Sequence, residues 1–162
     1  MKTDAILSDD RQFRYVLSRV WDEEKPTVMF IGLNPSTADE CEDDPTIQKC
    51  IKFAQSWDYG GLYMLNLFAY RTTNPRVLWE VKEPIGNGND DYIKRYSDGC
   101  DKVICAWGNN GDFMQRGKSV LQYVPNAHYL KLNKSGQPSH PLYLKSTLTP
   151  QKFTQKDLNA IL

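Results

Sequence analysis

Three polar side chains stand where a site would need them, each at the end of an apolar run or in the loop beyond one. Asn34 lies in Gly32-Leu33-Asn34-Pro35-Ser36, Asn66 interrupts Leu62-Tyr63-Met64-Leu65-Asn66-Leu67-Phe68, and His140 precedes Pro141 in a polar loop. A carboxamide presents a donor and an acceptor side by side, which matches the edge of a nucleobase. Inside an apolar strand it is costly unless those groups find partners. Gly32 lets the chain turn where a side chain would clash, Pro35 fixes φ, and Asn34 can hold a water through its amide. The imidazole of His140 can donate to a developing anion. Each residue also has a plainer role: a strand-to-loop turn at 32–36, a bond from Asn66 to a neighbouring loop, a solvated His140. The segment around Asn34 lacks the glycines and the Lys of a Walker phosphate loop. His128, the other histidine, falls in an apolar stretch and reads as a packing residue.

The elements that would position these residues follow from pattern. Residues 27–33, 62–68, 102–107 and 127–132 are short apolar runs, as expected of strands buried on both faces of a parallel sheet. Residues 12–21 alternate loosely and predict an outer strand or hairpin ahead of them. Asp44-Pro45 supplies an N-cap and a Pro at the first helical position, opening a helix to about Trp57. Asn74-Pro75 predicts a short helix through Val81, and further helices are expected over 89–98, about 111–123, and from Thr149-Pro150 onward. The sum is an α/β domain with a central, mainly parallel four-stranded sheet. Sites in such sheets lie at the carboxyl ends of the strands, and Asn34, Asn66 and His140 all fall at such ends. They are therefore expected to line one pocket there.

Composition narrows the function. The chain has 162 residues, 25% of them charged and 12% aromatic, which fits a single globular domain with a filled core. No apolar run is long enough to span a bilayer, and Met1–Arg11 has no apolar core of a signal peptide, so a cytoplasmic monomer is expected. The net charge is zero but unevenly spread. Residues 1–44 hold eleven acids and five bases, whereas residues 113–162 hold one acid and seven bases. A basic face could meet phosphates; alternatively the two ends neutralise each other in space. A neutral chain is not a typical non-specific DNA binder. Cys41, Cys50, Cys100 and Cys105 lack the spacing of a zinc or iron–sulfur site, and Cys50 and Cys105 read as core residues, so neither metal nor cofactor is expected.

Taken together, these segments resemble the uracil-DNA glycosylase superfamily. Gly32-Leu33-Asn34-Pro35-Ser36 is similar to the Gly-Ile-Asn-Pro-Gly motif of the mismatch-specific members. Tyr63-Met64-Leu65-Asn66-Leu67, with Arg71 after it, resembles the strand whose Asn reads the base. Val103-Ile104-Cys105-Ala106-Trp107-Gly108 is similar to the third strand and its closing glycine, and His140-Pro141-Leu142 resembles the His-Pro-Ser motif. The likeness spans about residues 26–145 of one domain, 1–162, and implies a three-layer α/β/α fold. More closely, Asn34-Pro35-Ser36-Thr37-Ala38-Asp39, with Trp21 and Tyr70-Arg71, resembles a family of unknown function, DUF1643. The superfamily likeness implies hydrolysis of an N-glycosidic bond, with Asn34 and His140 catalytic. Gly32, Leu33, Pro35, Ser36, Asn66, Arg71, Gly108 and Pro141 would then contact a nucleobase-containing substrate, in DNA or free. Ser36 in place of Gly, Leu142 in place of Ser and the acidic stretch 39–44 depart from that pattern. A nucleobase, nucleoside or nucleotide binder using the same pocket is a second expectation, and a non-catalytic nucleic-acid or protein interaction module a third.

Overall fold

The computed structural model describes residues 1–161. Seven strands are present: β1 (Lys2–Leu7), β2 (Arg14–Val20), β3 (Thr27–Gly32), β4 (Gly61–Asn66), β5 (Lys102–Cys105), β6 (Ala127–Tyr129) and β7 (Gln151–Lys152). They form one mixed sheet in the order β1-β2-β4-β3-β5-β6-β7. The expected four strands are its centre, β4-β3-β5-β6, and they are mutually parallel. The sheet is wider than the four strands expected because antiparallel strands extend both edges. β1 and β2 form a hairpin whose second strand pairs with β4, and β7 pairs with β6. β1 begins with three exposed residues, Lys2-Thr3-Asp4, and β7 is two exposed residues. Edge strands this short or polar leave little hydrophobic pattern to read.

The apolar runs are continuous because both faces of the sheet are covered. Along β3, Met29 and Ile31 join one apolar cluster while Val28 and Phe30 join another. The helix α1 (Pro45–Ser56) packs Ile47, Cys50, Ile51, Phe53 and Ala54 into the second cluster. The helices α2 (Asn89–Gly99) and α3 (Arg116–Leu121) give Ile93 and Val120 to the first. Burying a side chain such as Ile47 or Phe53 contributes about 1.5–3 kcal/mol each. Asp44 caps α1 as its sequence implies, its carboxylate accepting from Ile47 N at 2.9 Å with Pro45 following.

Three expectations are corrected. The single helix over 111–123 is a 3-10 segment, Asn109–Gln115, followed by α3, with Met114 at φ 53° and Gln115 at φ 54° between them. The chain bends to wrap Trp107: a Cβ on Gly111 would lie 2.0 Å from Trp107 Cδ1, so only glycine fits there. The last helix, α4 (Gln155–Ile161), starts later than Thr149-Pro150. Thr154 and Asp157 form a reciprocal capping box, with Asp157 N donating to Thr154 Oγ1 and Thr154 N to Asp157 Oδ2. The fourth central strand ends at Tyr129 instead of running to Leu132, which makes an isolated bridge to Pro138.

Candidate functional site

β3 leads through α1 to β4 on one side of it, while β5 leads through α3 to β6 on the other. The loops leaving β3 and β5 therefore diverge and open a crevice at the carboxyl ends of the strands, where open α/β sheets place ligands. A cavity of about 400 Å³ fills that crevice. Gly32, Leu33, Asn34, Pro35, Ser36, Asn66, Gly108 and His140 all line it. Arg71 and Pro141 are not on its wall.

The β3 end is held as a rigid lip. Asn34 Nδ2 donates to Thr72 O at 2.8 Å and to Pro35 O at 3.1 Å, and Thr72 N returns a bond to Pro35 O at 3.0 Å. Only the carbonyl oxygen of the Asn34 amide is left to accept. Arg71 acts from outside: its Nε reaches Ser36 O at 3.3 Å, and its terminal nitrogens reach Thr37 O and Arg11 O. It clasps the loop instead of contacting the cavity.

Asn66 is opposite Gly32 in the parallel register of β3 and β4. A Cβ on Gly32 would lie 2.8 Å from Asn66 Oδ1, so the absent side chain is what admits the carboxamide. The strand end is braced from behind: Asn89 Nδ2 donates to Asn66 O at 2.9 Å, and the Arg116 guanidinium donates to Leu67 O. Asn66 is 2% exposed, and its Nδ2 has no hydrogen-bond partner. Asn66 lines the cavity, and its buried amide N–H pair has no acceptor among the described residues, a donor set that a ligand can satisfy.

His140 enters from the loop after β6. Gly108, at φ 78°, donates its N–H to Pro138 O at 2.8 Å, and Trp107 Nε1 donates to Gln137 Oε1 at 2.8 Å, tying that loop to the β5 end. Leu142 N donates to His140 Nδ1 at 3.3 Å. An Nδ1 that accepts is unprotonated, so the neutral ring carries its proton on Nε2. His140 keeps solvent contact, but desolvation by the surrounding protein still lowers its pKa below that of a free histidine, against an opposing pull from Asp44. His128 is buried, with Nδ1 2.7 Å from Asn126 O, a packing role.

Two charged wall residues stand apart from the candidates read in the sequence. Asp44, the cap of α1, is the one carboxylate lining the cavity among the described residues. Arg14, the first residue of β2, is brought to the β4 end by the antiparallel pairing and by its N–H bond to Ala69 O. It is 2% exposed. In sequence Arg14 looks like the solvent side of an alternating strand, and Asp44 like a helix cap alone. The acidic stretch beside the lip is internally compensated. Asp39 accepts from the N–H groups of Cys41 and Glu42, which hold its carboxyl below the usual range, while Arg11 pairs with Glu40 and Arg19 with Asp43. Among the described residues no three His, Cys, Asp or Glu side chains gather to hold a metal ion, and no helix is long and apolar enough to cross a membrane.

No curated protein and no solved structure matches the chain. A family model described as a protein of unknown function (DUF1643) matches residues 14–142. That span starts at the first residue of the cavity wall, Arg14, and runs just past the last, His140. The chain that builds this crevice thus belongs to the DUF1643 family.

Proposed function

We propose that the cavity binds a nucleobase-like ring by its amide edge and hydrolyses the N-glycosidic bond that joins it to a sugar. The observation that carries this is Asn66: a buried carboxamide whose Nδ2 has no partner among the described residues, lining a cavity large enough for such a ring. The resemblance to uracil-DNA glycosylases, with its three-layer arrangement and a reading Asn at this strand end, supports the same assignment.

The chemistry divides among three groups. Asn34 Oδ1, its Nδ2 being committed to Thr72 O, accepts a hydrogen bond from the attacking water. The water oxygen bonds to the anomeric carbon as the C–N bond breaks, and the electron pair leaves on the ring. His140 Nε2–H faces that anion, a neutral donor stabilising charge as it develops. Asp44 is the wall carboxylate able to take the proton that the water loses.

The test is release of free base, measured chromatographically. Oligonucleotides carrying uracil, hypoxanthine or modified bases, single- and double-stranded, are offered beside free nucleosides. Asn66→Ala is expected to weaken recognition by about 1–3 kcal/mol. His140→Asn is expected to lower kcat with little change in KM, because its contact is made to the departing anion. Release from no substrate, with unchanged binding in both variants, defeats the reading in favour of a non-catalytic module.

A further inference from the structure

Two arginines of β2 are almost wholly buried, and they are not partnered alike. Arg19 donates from all three nitrogens: Nε to Asp43 Oδ1 at 2.8 Å, Nη1 to Ser18 O and Asp4 O, Nη2 to Asp39 O and Glu42 O. It is a structural clasp for the acidic loop. Arg14 makes a single side-chain hydrogen bond among the described residues, Nη1 to Ala38 O at 3.0 Å. Its Nε is sealed from solvent without a partner, and no carboxylate is in ion-pair contact with it.

A guanidinium removed from water is costly unless an anion and hydrogen-bond acceptors replace the water. Desolvation pushes Arg14 down to about 10, so it stays charged at neutral pH. Asp44 favours that charge and Asp39 adds a little, while Arg71 and Arg19 oppose it. Asp44, however, accepts from Ile47 N at Oδ1, as the cap of α1, and from Ala38 N at Oδ2. Arg14 lines the same cavity as Asn66, and its Nη2 is committed to no acceptor among the described residues, so the two side chains can serve one occupant.

We propose that Arg14 receives the phosphate monoester of a free nucleotide, which makes a nucleoside monophosphate the substrate of this cavity. The inference rests on the base-recognition reading of Asn66 and names the substrate that reading leaves open. A guanidinium this far buried takes a chain end, because a phosphodiester continues in two directions and needs an open groove on both sides. Planar guanidinium matches phosphate by paired N–H bonds, whereas Lys would offer a point charge.

Calorimetric titration of the wild-type chain compares uridine, cytidine, adenosine and guanosine with their 5′-monophosphates, with single-stranded oligonucleotides as a further arm. Inorganic phosphate and acetate are the competitors. At least one monophosphate is expected to bind about tenfold or more tightly than its nucleoside, to be displaced by phosphate and to outbind the oligonucleotides. R14Q is expected to bind nucleoside and monophosphate alike, with R14K intermediate. Should R14Q fail to fold, the wild-type ratio and the phosphate competition decide alone. Equal wild-type affinity, tighter binding of oligonucleotides, competition by acetate as strong as by phosphate, or no binding overturns the assignment. Base release from nucleosides and monophosphates at equal kcat/KM overturns it while keeping the glycosidic reading. An Arg14-dependent monophosphate preference without base release keeps it and removes that reading.

Discussion

Asn66 and Gly32 are register partners, and the space between them is the most specific feature of the site. Gly32→Ala would place a Cβ 2.8 Å from Asn66 Oδ1 and 2.9 Å from Met64 Cε, so the carboxamide must swing away. The expected outcome is loss of about 1–3 kcal/mol of ligand affinity, as for Asn66→Ala, read by calorimetry. Asn66→Ala removes an unpartnered buried N–H pair and should change stability little. At His140 the folded state holds the pKa below the free value of 6.5. The unfolded chain then binds more protons near pH 6, so this contribution to stability is complete above about 6.5 and declines as pH falls through that value. An NMR titration should show His140 with a midpoint below 6.5, and His140→Gln should flatten the acid side of the stability curve. A pKa at or above the free value would contradict the desolvation of this ring. The places of Asn34 and Asn66 on the cavity wall were legible because each is a polar residue at the boundary of an apolar run, and that of His140 because it precedes a proline in the polar loop beyond one. Arg14 was not, because a lone charge in an alternating strand looks solvated, and only tertiary pairing shows it buried.

At the scale of elements, Asp44 joins two tasks that different substitutions separate. It caps α1 and it puts a carboxylate on the cavity wall. Asp44→Asn keeps the capping oxygen for Ile47 N but loses the acceptor for Ala38 N and the charge that favours Arg14, so base release should fall with a smaller loss of thermal stability than in Asp44→Ala. Asp44→Ala removes both and should cost about 1 kcal/mol of stability besides. Equal release by the Asn variant and the wild type would take Asp44 out of the chemistry and leave it as a cap. α1 was legible from its Asp44-Pro45 cap and apolar face, and the inner strands from their continuous runs. The 3-10 segment at Asn109–Gln115 was not, because its course is set by Trp107, whose ring occupies the space that a Cβ on Gly111 would need. Helical periodicity carries no record of such a contact. β7 was hidden for a different cause, being two residues that pair only because β6 leaves an edge.

For the whole molecule, the uneven charge of the chain is not settled by cross-pairing of its two ends. Among the described residues Arg116 is the one base of residues 113–162 in an ion pair, with Asp90, and the N-terminal acids that are paired meet Lys2, Arg11, Arg19 and Lys25. Cohesion comes instead from the two apolar clusters on opposite faces of one sheet. The thiols report on them separately. Cys50 lies on α1 in one cluster and Cys105 on β5 in the other, both fully buried, and burial raises both pKa values far above the ordinary thiol range. Cys41 is exposed. Since the thiolate is the attacking species, Cys50 and Cys105 can react only when the structure opens. With an aromatic disulfide reagent and mass-spectrometric readout, Cys41 should be labelled first, and the two core thiols roughly a thousandfold or more slowly. Because both clusters share the strands β3, β4 and β5, loss of one removes the floor of the other. Cys50 and Cys105 should therefore be labelled with the same dependence on denaturant, as one cooperative unit. Labelling of Cys50 well before Cys105 would show that α1 leaves the sheet by itself, and with it the capped end that carries Asp44 into the cavity wall.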